Sequence, residues 1–101
     1  MTVSVRQVDD KNIVIVVGEQ FDYSLHQAFR NAYAQVQKPG TVFRVDLARA
    51  KHMDSSALGM ILLLKEHADK LGGRVILSKP AENVVKILTI ANFNQFVTIE
   101  S

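Results

Sequence analysis

The sequence predicts an α/β domain: a mixed sheet of about four to five strands with about three to four helices packed on it. Three observations predict it. Segments with period-two alternation or β-branched runs take turns with segments whose apolar residues recur every three or four positions. Polar or glycine-containing breaks separate them. The 101 residues, 48% hydrophobic and 22% charged, are enough for one core and not for two, so residues 1–101 read as a single domain.

In order, Val3 and Val5 alternate with polar residues as in a half-buried strand. Asp9-Asp10-Lys11-Asn12 makes a polar turn, and Ile13 to Val17 is a β-branched run of the kind covered on both faces. The short turn makes these two strands an antiparallel hairpin, ended by Gly18-Glu19. Asp22 or Ser24 caps a first helix reaching about Gln37, with Ser24 and Gln27 at capping-box spacing. Leu25, Phe29, Ala32 and Val36 form its apolar stripe, and Pro39-Gly40 stops it. Most of Phe21, Tyr23, Phe29 and Tyr33 should be core. Thr41 to Leu47 is a third strand, and Ala48 to Met53 the loop into a second helix from about Ser55 to Leu71, stopped by Gly72-Gly73. Arg74 to Ser78 is a fourth strand. Pro80 suits the first turn of a third helix carrying Val84, Ile87, Leu88 and Ala91 on one side, and Phe96 to Ile99 is a last strand. The later strands should be parallel, joined by right-handed crossovers, and their C-terminal ends are where functional loops collect.

Composition excludes several functions. Twelve basic against ten acidic residues give a net charge of +2 without a basic stripe, so no nucleic-acid groove is expected. There is no cysteine, hence no disulfide framework and no thiolate chemistry. The start MTVSVRQVDD lacks an apolar core segment and no 18-residue apolar run occurs, so the expectation is a cytoplasmic protein without direct membrane binding. His26, His52 and His67 have no ligand spacing, and there is no GxGxxG or Walker-type loop, so neither metal nor cofactor is expected. Ser55, His52 and Asp46 could be written as a hydrolase triad, but no GxSxG elbow frames the serine. The chain does not read as an enzyme.

The distinctive chemistry lies in Met53-Asp54-Ser55-Ser56-Ala57-Leu58-Gly59-Met60, where a loop hands over to the second helix. Asp and Ser are preferred there because their oxygens accept from backbone N–H groups that lack a helical partner. On a wheel of about 100° per residue, Ala57, Met60, Ile61, Leu64, Ala68 and Leu71 face the sheet. Leu58 and Leu62 share the opposite side with Lys65, Glu66, Asp69 and Lys70, and Leu63 also lies outside the core arc. Ser55 projects toward Leu58 and Leu62, and Ser56 elsewhere. Leu58 and Leu62 are therefore either a partner surface or core beneath the flanking helices. Gly59 costs its helix about 1 kcal/mol against Ala, which suggests a close approach by a neighbouring helix or a partner. Asp54 either orients the serine hydroxyl or acts only as a cap; Ser56 either bonds the helix backbone or is a secondary modification site.

These residues resemble the STAS family, the anti-sigma-factor-antagonist domain, whose hallmark is an Asp-Ser-Ser/Thr-Gly-Leu-Gly segment between a strand and a helix. Here it is Asp54-Ser55-Ser56-Ala57-Leu58-Gly59, with Ala57 departing from the usual glycine. The resemblance extends to the early hairpin, Gly18-Glu19, and the Ile87-Leu88 to Asn92-Phe93 region. The longer run Asp-Ser-Ser-Ala-Leu-Gly-Met is similar to proteobacterial members tied to motility, secretion or biofilm control. The resemblance implies partner switching. The unphosphorylated protein binds an anti-sigma factor or another regulator; a serine kinase modifies Ser55 and releases it; a PP2C-type phosphatase restores the cycle. Asp54, Ser56, Leu58, Gly59 and Leu62 would form the recognition surface. The alternative within the family is a non-catalytic STAS subunit of an ABC-type lipid transporter, in which Ser55 is only a cap.

Overall fold

The computed structural model describes residues 3–100. The elements are β1 (Val3–Asp9), β2 (Asn12–Val17), β3 (Gln20–Phe21), α1 (His26–Tyr33), β4 (Val42–Asp46), β5 (His52–Met53), α2 (Ser55–Lys70), β6 (Arg74–Ser78), α3 (Glu82–Ile90) and β7 (Thr98–Glu100). Single 3-10 turns, Tyr23–Leu25 and Phe93–Gln95, precede α1 and follow α3. The main sheet has the order β1-β2-β4-β6-β7; β1 and β2 are antiparallel and every other pair is parallel. This is the expected mixed sheet with three helices.

Each crossover helix advances the sheet by one strand in the same direction, so connections of one hand place all three helices on one face. The inward residues of all three helices (Phe29, Ala57, Ile61, Leu64, Val84 and Leu88 among them) form one cluster with Ile13, Ile15, Val17, Phe43, Val45, Val75 and Leu77. The other face carries no helix. The β2 run is buried on both faces as expected, although helices cover only one of them. Val14 is buried but outside the core cluster, and it lies in register with Arg6 on one neighbour and Arg44 on the other. Long arginine stems lie over apolar strand residues while their charged ends stay wet, so Val14 is sheltered without a second helical layer. Arg44 pairs with Glu100 across the same face.

Three boundaries differ from the expectation. Helix α1 begins at His26, after the 3-10 turn capped by Asp22, and ends at Tyr33 rather than near Gln37. Val36 is in helical phase but its N–H turns back to the Tyr33 carbonyl, while its own carbonyl meets His67 Nε2 at 2.7 Å. A tertiary hydrogen bond thus holds the segment that leaves the helix against α2. Pro80 lies ahead of α3, whose cap residue is Ala81. The last strand starts at Thr98, leaving Phe96 half-exposed in the loop with its ring edge-on to Phe93. Val5, expected to be half-buried, is exposed near the edge of the sheet. Gly73 is a position where only glycine fits: a Cβ there would stand 1.8 Å from the Thr41 carbonyl oxygen.

Candidate functional site

A feature absent from the sequence reading organises the site. β3 and β5 form a separate two-stranded parallel ladder, Gln20 opposite His52 and Phe21 opposite Met53. It brings the segment after β2 alongside the loop after β4. The Glu19 carbonyl accepts from the N–H groups of Lys51 (2.9 Å) and His52 (3.1 Å), and the Phe21 carbonyl from that of Asp54 (3.4 Å). From the other side, Asn83 Nδ2 on α3 donates to the Lys51 carbonyl at 2.9 Å. Buried Leu47 and Ala50 anchor the loop from beneath. The start of α2 is thus held by its own loop, by the β3 segment and by α3.

Asp54 is the N-cap of α2. Its Oδ1 accepts from the N–H groups of Ser56 (3.1 Å) and Ala57 (3.3 Å), satisfying two of the donors a helix start leaves free. The same oxygen accepts the Ser56 hydroxyl at 2.5 Å. Cap and hydroxyl are thereby committed to each other. Ser55, the first helical residue, is exposed, and among the described residues its side chain has no hydrogen-bond partner. The two serines that the sequence places side by side are therefore chemically unlike: one hydroxyl is tied down and the other is presented to solvent.

The helical wheel holds for the core side. Ala57, Met60, Ile61, Leu64 and Ala68 are buried, and Leu71 is half-buried. The open question about the other side resolves into two answers. Leu58 is half-buried and packs against the core, whereas Leu62 keeps 39% of its surface exposed and Leu63 keeps 50%. Gly59 is exposed, and a Cβ built on it meets nothing within 4 Å. No neighbouring helix of this chain needs its missing side chain. Ser55, Gly59, Leu62 and Leu63 lie at spacings of three and four and so share one exposed face.

The turn before α1 repeats this chemistry. Asp22 accepts from the Ser24 N–H at 2.9 Å and also from the Ser24 hydroxyl. That hydroxyl, and then the amide, hold the Asp22 carboxyl below the usual carboxylate range. The Asp-x-Ser spacing of Asp54 and Ser56 is the same, and the β3–β5 register sets the two turns beside each other. Tyr23, the exposed one among four aromatics expected for the most part in the core, takes the place in its turn that Ser55 takes in α2. It is 65% exposed, its ring stacked on His26 at 4.8 Å. The repeated Asp-x-Ser spacing is the signal by which this neighbour could have been found. Gln20, Phe21, Asp22, His52, Met53 and Asp54 line a shallow cleft of about 260 Å³ between the turns.

Of the hydrolase triad, Asp46 accepts from the Ala48 N–H at 2.9 Å, and no hydrogen bond joins it to His52 or His52 to Ser55. Among the described residues no group of three or more His, Cys, Asp or Glu could hold a metal ion, and no helix is long and apolar enough to cross a membrane.

A family profile described as "Mlab, STAS domain" matches residues 4–99. A STAS-domain containing protein of Pseudomonas aeruginosa (strain UCBPP-PA14) is 41% identical over 91 residues, covering 90% of each chain. The chain belongs to the STAS family. Solved structures carry the same fold. A putative anti-sigma factor antagonist of Thermotoga maritima superposes with a TM-score of 0.82 at 20% identity, over 98% of this chain and 86% of that one. The anti-sigma factor antagonist SpoIIAA in its unphosphorylated form gives 0.81 at 21%, over 99% and 89%. The Bacillus cell fate determinant SpoIIAA in its phosphorylated form gives 0.70 at 19%, over 99% and 92%. In this STAS domain Ser55, the first residue of α2, presents its hydroxyl to solvent.

Proposed function

We propose that this STAS domain is an anti-sigma-factor-antagonist-type partner switch. In this reading the unphosphorylated form binds an anti-sigma factor or an equivalent regulator through the face carrying Ser55, Gly59 and Leu62, with Leu58 supporting it from the core edge. A serine kinase transfers the γ-phosphoryl group of ATP to Ser55 Oγ, displacing ADP, and a PP2C-type phosphatase hydrolyses the phosphoester. The domain is the substrate of that chemistry and performs none of it. The observation that carries the reading is the contrast between the exposed, unbonded Ser55 and the Asp54-bound Ser56.

The physics supports a switch without refolding. A phosphoserine carries roughly −1.5 to −2 charges at neutral pH. At the first residue of a 16-residue helix it sits at the positive end of the dipole, so the fold tolerates it. In a contact shared with Leu62 the same charge would be desolvated. A penalty of about 3 to 4 kcal/mol weakens binding several hundred-fold.

The test is affinity capture with wild type and Ser55→Asp side by side, followed by incubation of the wild type with the captured kinase and ATP. One phosphate at Ser55 by mass spectrometry, and a regulator captured only by the wild type, are expected. An unmodified Ser55, or a Ser55→Ala protein that switches normally, would overturn the mechanism. Co-purification of both variants with a transporter ATPase would establish the transporter-subunit reading instead.

A further inference from the structure

The early end of α1 leaves a groove beside the C-terminal half of α2, further along the helix face that carries Ser55 and Gly59. Beyond Tyr33 the chain is no longer helical but stays beside α2, with the Val36 carbonyl on His67, so the C-terminal half of α2 is flanked there by irregular chain in place of a helix. The result is a groove of about 460 Å³, lined on one wall by Arg30, Tyr33, Ala34 and Gln37 and on the other by Leu63, Glu66, His67, Lys70 and Leu71. Three features make it more than a gap. Its floor is Tyr33, only 6% exposed, whose phenol has no hydrogen-bond partner among the described residues. Burial pushes that phenol up from its ordinary value, and a phenol is a hydrogen-bond donor at neutral pH. Leu63, half-exposed, offers an apolar contact at one end. Arg30 and Lys70 stand at the rim, and neither is in an ion pair among the described residues. The lining thus offers two fixed cations and a phenol donor against one carboxylate, Glu66.

We propose that this groove is a docking site for an acidic amphipathic helix of a partner protein, which seats an apolar side chain against Leu63 and Ala34 and directs carboxylates at Arg30, Lys70 and the Tyr33 hydroxyl. Charge complementarity selects an acidic occupant. The dimensions select a short helix, since Leu63 to Leu71 spans about 12 Å, roughly two turns, and an amphipathic helix lays one apolar face into such a groove. The site is independent of phosphorylation at Ser55. Leu63 lies about 12 Å and Lys70 about 22 Å along the helix from Ser55. Both exceed the Debye length of about 8 Å at physiological salt, so a phosphate on Ser55 is largely screened there. A partner held in this groove stays attached through the switch.

The experiment uses the full chain, labelled with nitrogen-15, and three synthetic helical peptides. One carries leucines at i and i+4 flanked by glutamates, one has lysines in place of the glutamates, and one has serines in place of the leucines. The glutamate–leucine peptide is expected to bind at least tenfold tighter than either control and to shift the amides of Ala34, Leu63 and Lys70. The pair Arg30→Glu and Lys70→Glu should reverse the preference toward the lysine peptide. Tyr33→Phe, which keeps the ring in the core, should weaken the acidic peptide alone. Ser55→Asp should change its affinity by less than twofold. Equal binding of all three peptides, shifts centred on the start of α2, or no shifts at millimolar peptide would overturn the proposal.

Discussion

Gly59→Ala separates folding from binding at one position. A helix-interior glycine costs about 1 kcal/mol relative to alanine, and this one has an empty surround out to 4 Å, so the new methyl displaces nothing within the chain. The folded state should gain about 1 kcal/mol, which for a domain near this size raises the melting temperature by about 4 °C or more. The same methyl projects from the exposed face one turn from Ser55, where a partner is proposed to pack. An added methyl in a close-packed contact costs about 1 to 3 kcal/mol, or roughly five- to 150-fold in affinity. Thermal unfolding followed by circular dichroism measures the first effect. Titration calorimetry with the regulator captured by the wild type measures the second. A variant both more stable and a weaker binder is expected. A lower melting temperature would show that Gly59 serves the fold, and unchanged affinity would remove it from the interface.

The remaining predictions concern the scaffold. Gly73→Ala should be strongly destabilising, by about 2 to 3 kcal/mol or more in denaturant unfolding, because its Cβ would be 1.8 Å from the Thr41 carbonyl oxygen. The same substitution at two glycines then has opposite signs. Asp54→Ala removes the cap and should lower stability by about 1 kcal/mol in the same assay, whereas Asp54→Asn retains an accepting oxygen and should cost only a few tenths. Asp22 should titrate below the ordinary Asp value of about 3.9 in a carbon-13 NMR titration, and Ser24→Ala should move it upward. Because its folded-state pKa is depressed, its contribution to stability is present above about pH 4 and is lost as pH falls through the folded value.

Much of this could be read along the chain. The hairpin, the crossover helices and the five main strands follow from periodicity and turn residues, because each reflects which side of a local element is apolar. Asp54, Ser55 and Ser56 were legible for a related reason: a helix start needs short polar side chains, and capping is local. The misplaced features came from contacts distant in sequence. The segment after α1 leaves the helix at Tyr33 and its Val36 carbonyl meets His67, 31 residues away. The β3–β5 ladder is two residues on each side, too short to leave a periodic signal. What covers the second face of β2, arginine stems and not helices, depended on all the crossovers lying on one face, which composition does not encode.

The sequence by itself determined that a serine pair starts the central helix of a one-core α/β domain, and that Ser55 projects to the outer side. Tertiary structure decided the rest. It bound Ser56 to Asp54 and left Ser55 bare, buried part of Leu58 while exposing Leu62 and Leu63, and set the Asp22 turn beside the motif. The physical reason is the range of the interactions involved. Propensity, capping and amphipathic phase act within about a turn of the chain, so residue order records them. Exposure is settled only when elements far apart in sequence pack together and cover one leucine but not the next.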